Sequence, residues 1–325
     1  MSLGSIPDDI RVPLVWIDID NSQALDGASA QSRKILVMGH AVSSGSADAL
    51  SLTRITSDSQ ADQLYGKGSM LAEMLKMLRR ANTYTETWAM PVAAPEGAAA
   101  KATLTVLGTA TNAGTVALLI NGVSVQVSVS AGDTKENIAK AIADAVTKKP
   151  ATQVAAAVKD DATDTVELTM NWHGVTGNGA DVRLNYYTGE AFPAGVKVTA
   201  TAFTGGTGTP EMAGAVAAIG PEWFTDIIAP FTDTKSLNTL RDELLNRWGP
   251  LKMMEAQLWT AFRGTHGETG TFGETRNDWL ISCIGTNLSP HPAWMWAASY
   301  GATAAYHLAI DPALSLIHIS EPTRR

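Results

Sequence analysis

Several groups of side chains in this sequence have the types that catalysis or ligand binding requires. His40, Ser43 and Asp48 lie close together after an apolar run, and Ser, His and Asp are the members of a nucleophilic relay. Such a relay is defined by geometry and role rather than by proximity along the chain. The chain also has no G-x-S-x-G nucleophile elbow. His266, Glu268, Glu274 and Asp278 bring an imidazole and three carboxylates together, a set suited to acid–base work or a metal ion. Their spacing matches no common ligand pattern. The glycines and threonines around them read as a solvent-exposed loop between two strands. Gly205-Gly206-Thr207-Gly208 has the composition of a phosphate cradle, but no Gly-Lys-Ser/Thr follows and Pro210 stands two residues on. It reads as a linker. Gly177-Asn178-Gly179 reads as a turn, with a glycan-contacting surface as the alternative. Cys283 is the only cysteine; it excludes an intramolecular disulfide and a cysteine-based metal cluster. Its apolar surroundings, WLISCI, predict a buried, inert thiol. These residues predict no catalytic site, no metal and no cofactor: the chain is not expected to be an enzyme.

The bulk composition agrees. The 325 residues are 45% hydrophobic and 17% charged, with a formal net charge of -8, which fits a globular protein with a substantial core. Lysine and arginine are scattered, so the basic footprint of a nucleic-acid binder is missing. No run approaches the length of a membrane helix, and the first twenty residues lack the pattern of a signal peptide. Folding in a reducing cytoplasm is expected. Of Trp223, Trp248, Trp259, Trp279, Trp294 and Trp296, most fall on predicted strands or helix faces, where core packing is the default. Trp294 and Trp296 are two residues apart, so one of them must leave the core side of its helix and offer an inter-subunit contact.

The elements that would position these residues follow an α/β pattern, interrupted once. KILVMGHAV (34–42) is a buried-strand run. Ser57-Asp58-Ser59 caps a short helix that stops at Gly66, and Ser69 opens a longer one, with Met70, Leu71, Met74, Leu75 and Leu78 on one face and Arg79-Arg80 at its end. Residues 85–92 form the next strand. From Ala94 a Pro/Gly/Ala stretch leads into alternating Thr/Val/Leu segments. Runs 114–120 and 123–129 flank Asn121-Gly122, a strong hairpin signal. Thr134 caps a helix with Ile138, Ile142 and Val146 on one face; strands at 154–158, 165–170, 181–187 and 195–203 follow. After Pro210 come a helix at 212–219, a strand at 224–229, and a helix capped by Thr234 or Ser236 with Leu237, Leu240, Leu244 and Leu245 buried. Strands at 253–262 and 278–286 and a long helix behind Pro292 complete the pattern.

Removing 94–210 leaves the strand–helix–strand order unbroken. The expected architecture is therefore a discontinuous α/β core, 32–93 with 211–312, carrying an inserted β-rich α+β domain, 94–210, and preceded by an extended N-terminal arm, 1–31. The arm holds one strand-like run, 12–20, with no hairpin partner nearby. Its Val12, Leu14, Val15, Trp16, Ile17 and Ile19 must pair at long range, in this fold or on another chain.

Four stretches together, in this order and spacing, resemble the tail sheath proteins of Mu-like contractile phages: IPDDIRVPLVWIDIDNSQA, NGVSVQVSVSAGDTKENIAKAIADAV, WHGVTGNGADVRL and PHPAWMWAASYGATAAYHLAIDP. The resemblance spans 6–311. It implies a structural virion subunit that stacks in helical rings around a tail tube and contracts to drive it through the host envelope. It further implies assembly in the host cytoplasm, contacts with baseplate and tail terminator proteins, and pairing of the arm with a neighbouring subunit. An adhesin using the inserted domain is the alternative. The end departs from the family pattern. LSLIHISEPTRR resembles translated sequencing-adapter read-through, so 313–325 is expected to be artefactual and the family's C-terminal domain and arm to be missing.

Overall fold

The computed structural model describes residues 33–310. β1 (Lys34–His40) and a two-residue strand β2 (Thr53–Arg54) precede α1 (Asp58–Tyr65), α2 (Met70–Ala81) and β3 (Glu86–Val92). Both helices begin on serine caps: the Ser57 and Ser69 hydroxyls accept from the backbone N–H of Gln60 and Ala72, satisfying donors that the first turn leaves free. The middle of the chain forms β4 (Lys101–Gly108), β5 (Gly114–Ile120), β6 (Val123–Val129), α3 (Lys135–Thr147), β7 (Val154–Val158), β8 (Thr165–Met170), β9 (Val182–Leu184) and β10 (Val196–Ala200). Asn121 and Gly122 take φ of 50° and 78°, the paired positive values of the hairpin turn their sequence predicts. Then follow α4 (Met212–Ile219), β11 (Asp226–Ile228), α5 (Thr234–Trp248), β12 (Gln257–Phe262), α6 (His266–Glu274), β13 (Ile281–Gly285) and α7 (Ala293–Ile310).

The fold is mixed α/β with three sheets. The largest runs β13-β12-β11-β1-β3-β2, parallel except for β2. Its strands come from both sides of the middle block, whose own strands form the β10-β4-β8-β7 and β6-β5-β9 sheets. Because side chains alternate along a strand, Leu36 and Met38 of β1 pack with Ile227, Leu258 and the leucines of α5 on one face. Ile35 and Val37 pack with α2 and α7 on the other. This second cluster does not stop at the large sheet: it continues through Trp294 and Trp172 to Val116, Ile138 and Leu168 inside the middle block.

Several elements depart from the sequence reading. The cap of α5 is Asp233, one residue before Thr234, and its carboxylate accepts from the N–H of Ser236; Leu245, expected on the buried face, is largely exposed. β12 starts at Gln257 rather than 253, because Met253 takes a positive φ of 50° that ends strand geometry. β13 starts at Ile281, behind an Asp278 carboxylate paired with Arg276 and Arg241. Strands expected over 181–187, 195–203 and 224–229 shorten to β9, β10 and β11. Residues 266–274 form α6 where a loop was expected.

Candidate functional site

The residues with catalytic side-chain types are distributed by the fold into structural roles. His40 ends β1 fully buried; its Nδ1 lies 3.1 Å from the Val92 carbonyl and its ring packs 5.1 Å from Phe231. Burial lowers its pKa to about 4, so the imidazole is neutral at pH 7. Ser43 and Asp48 are exposed on the following loop, and no hydrogen bond links the three residues. Glu268 is the return half of a capping box, accepting from the N–H of Thr265 at 2.7 Å while its own N–H meets the Thr265 hydroxyl. That cap holds its carboxylate below the usual range. Among the described residues no group of three or more His, Cys, Asp or Glu is arranged to hold a metal ion. Cys283 is exposed on edge strand β13, against expectation; protein packed around its sulfur still raises the thiol pKa to about 11, which keeps it protonated.

The glycine-rich segment after β10 is a seam. Gly206 and the Asn178 side chain exchange hydrogen bonds of 2.8 and 2.9 Å. Ala98 and Thr207 are joined through the Thr207 hydroxyl at 2.9 Å and by a backbone bond of 3.1 Å. The two ends of the middle block therefore lie side by side. Gly97 requires this closeness: a Cβ there would fall 2.1 Å from the Thr207 carbonyl oxygen.

The most developed polar arrangement joins the middle block to the large sheet. Asp181, ahead of β9, accepts from Arg263 at 2.6 Å and Arg183 at 2.7 Å, and Arg183 also donates to the Leu288 carbonyl. Asn121, at the hairpin turn, is buried; it accepts from the N–H of Asp181 and donates to the Thr152 carbonyl at 2.8 Å. The neighbouring Gly122 abuts His291, at the entry to α7, so closely that a Cβ would fall 2.1 Å from its Nδ1. Trp294 is buried, donates to Gln153 at 2.8 Å and meets Trp172 edge-on at 5.4 Å. Arg263 with Asp181 and Trp294 with Gln153 are paired across the junction, and Asn121 with Thr152 braces the block side, which together favour one geometry. Its members are far apart in sequence and belong to no motif, so sequence reasoning did not find them.

Of the tryptophans, Trp259 and Trp294 are buried as expected and Trp296 points outward. Trp223, Trp248 and Trp279, expected in the core, are exposed. Trp223 and Trp279 lie outside the strands and helices, and Trp248 is the last residue of α5. The arm residues Val12, Leu14, Val15, Trp16, Ile17 and Ile19 lie outside the described residues, as does 313–325.

Residues 205–316 match the family described as the phage tail sheath protein central domain. The Mu-like prophage FluMu tail sheath protein of Haemophilus influenzae is 43% identical over 314 residues, covering 96% of this chain and 64% of the relative. The chain thus spans about two thirds of the length of that protein. Among solved structures, sheath tail proteins from Desulfitobacterium hafniense and Listeria innocua align at 12% identity with TM-scores of 0.37 and 0.33. They cover 90% and 84% of this chain and 62% and 56% of their own. Identity of 43% along nearly the whole chain, together with the central-domain match, makes this protein a homologue of the Mu-like tail sheath proteins.

Proposed function

We propose that the chain is a structural subunit of a contractile phage tail sheath, polymerising in helical rings around a tail tube and contracting to drive the tube through the host envelope. The observation that carries this reading is the 43% identity to a tail sheath protein over nearly the entire chain. The geometry supports it, because the side chains best suited to chemistry hold the fold together: His40 against Val92, Glu268 in a cap, Asn178 on Gly206. In this reading the subunit assembles in the host cytoplasm, becomes part of the virion, and meets the tube, baseplate and tail terminator proteins.

The domain division belongs to the same proposal. A discontinuous core, 32–93 with 211–312, carries 94–210 as an insertion. Supporting it are the membership of the large sheet and the Ala98–Thr207 seam. The arm, 1–31, connects subunits: the apolar run with Val12, Leu14, Val15, Trp16, Ile17 and Ile19 adds a strand to a neighbour, since strand addition relies on backbone hydrogen bonds. The test is deletion of residues 1–20 from a full-length version. Negative-stain microscopy should show tubes with the complete protein and unconnected subunits or rings with the deletion, while circular dichroism stays native. Tubes that form and contract normally without the arm would overturn the connecting role.

A further inference from the structure

The strands β1, β3, β11, β12 and β13 run parallel, so all begin at one end of the large sheet, and the surface there is unusually apolar. Leu251 is 99% exposed, Met253 71% and Trp279 59%; Trp223 and Trp248 are exposed beside them. Trp248 meets Trp279 edge-on at 4.9 Å, and the Trp223 ring is anchored to the Glu255 carbonyl at 2.8 Å. Single exposed apolar side chains are ordinary, but held tryptophans grouped with leucine and methionine are the composition of an interface centre. The rim carries both signs, with Glu222, Lys252 and Glu255 all exposed. A strongly charged partner does not fit such a surface.

Two stretches of polypeptide meet this end: the one that enters β1 at Lys34, whose ammonium lies 3.9 Å from Glu222 in the rim, and the one that leaves α7. α7 leaves the far end of β13 and runs back along the sheet. The Tyr300 hydroxyl reaches Ser282, near the start of β13, at 2.7 Å. Asn82 then binds the Ala302 carbonyl, and Tyr306 packs on Tyr84 in the turn that leads into β3. Ile310, 66% exposed, therefore ends the helix at the apolar end of the sheet. The matched domain is described as central in its family, and the Haemophilus influenzae relative is about half as long again as the stretch matched.

We propose that this end of the sheet seats the polypeptide that follows α7 in full-length members of the family, through an uncharged apolar face packed on Trp248, Leu251, Met253 and Trp279. The inference rests on the family relationship and not on the arm's strand pairing, so loss of either leaves the other standing.

The test compares the 325-residue chain with a hybrid in which residues 1–310 continue into the corresponding C-terminal part of the Haemophilus influenzae relative. Acrylamide quenching is measured for each protein against its own Trp248→Phe, Trp279→Phe double variant, which isolates the two rings. Expected are open rings in the 325-residue chain at every concentration and a several-fold drop in quenching in the hybrid. Leu251→Asp should reverse the drop, while Trp296→Phe leaves it unchanged. The proposal is overturned if a hybrid with native near-ultraviolet dichroism quenches like the shorter chain. Protection that grows with concentration of the 325-residue chain would assign the surface to a second copy, and protection abolished by Trp16→Asp would assign it to the arm; either result also overturns the proposal. Should the hybrid not fold, the C-terminal part is added as a separate polypeptide, and absence of protection by both routes is equally decisive.

Discussion

His40 illustrates how burial decides a residue's role. The imidazole is held at the end of β1 with one hydrogen bond and an aromatic neighbour, and burial lowers its pKa from 6.5 to about 4. The unfolded chain binds the proton more readily than the folded one between those values, so stability falls as pH drops from 6.5 towards 4. The loss from this one group amounts to about 3 kcal/mol when complete. Urea unfolding of the wild type and of His40→Gln across this range should show a shallower pH dependence in the variant. Equal slopes would mean that His40 already protonates in the folded state. In sequence, His40 beside Ser43 and Asp48 carries no sign of this environment. Neighbours such as Phe231 and Val92, which place it in the core, are brought up by β11 and β3.

Element boundaries were legible wherever a cap or turn residue writes the local geometry. Ser57, Ser69 and Thr134 each accept from the N–H three residues on, and Asn121-Gly122 makes the hairpin turn. Strand ends were read too long because hydrophobicity continues past the last ladder bond, as at 224–229 around β11. α6 was missed because Gly267, Gly270 and Gly273 each oppose helix formation by about 1 kcal/mol, although Thr265-x-x-Glu268 spelled out its capping box. No α6 side chain is fully buried, so the cap should dominate its stability. Thr265→Ala is expected to cost the helix about 1 kcal/mol, seen as faster amide exchange across 266–274 with the global unfolding midpoint nearly unchanged. Unchanged exchange would show that contacts such as Phe272 on Phe262, stacked at 4.5 Å, hold α6 without the cap.

At the scale of the whole molecule, the element order let the sequence suggest an α/β sheet interrupted by a β-rich block, since local periodicity marks each strand and helix. The contacts between block and sheet were not legible, because Asp181–Arg263 and Gln153–Trp294 join residues that share no local pattern. Those contacts change the expected result of removing the block. The Ala98–Thr207 seam allows a short bridge in place of 98–208, which on its own favours a soluble remainder. Removal also strips Trp294 of Trp172 and Gln153 and leaves Arg263 without Asp181. Exposing one tryptophan of this kind forfeits about 3 kcal/mol or more, and it creates an adhesive patch where α7 begins. The excised protein is expected to keep its far-ultraviolet dichroism but to bind a hydrophobic dye and self-associate. Trp294→Gln should suppress both while restoring a monomer in sedimentation. A monomeric, dye-silent excision product without the second change would show that the buried cluster shared with the block contributes little to the sheet's stability. Global unfolding of both products would show instead that the block and the sheet fold only together.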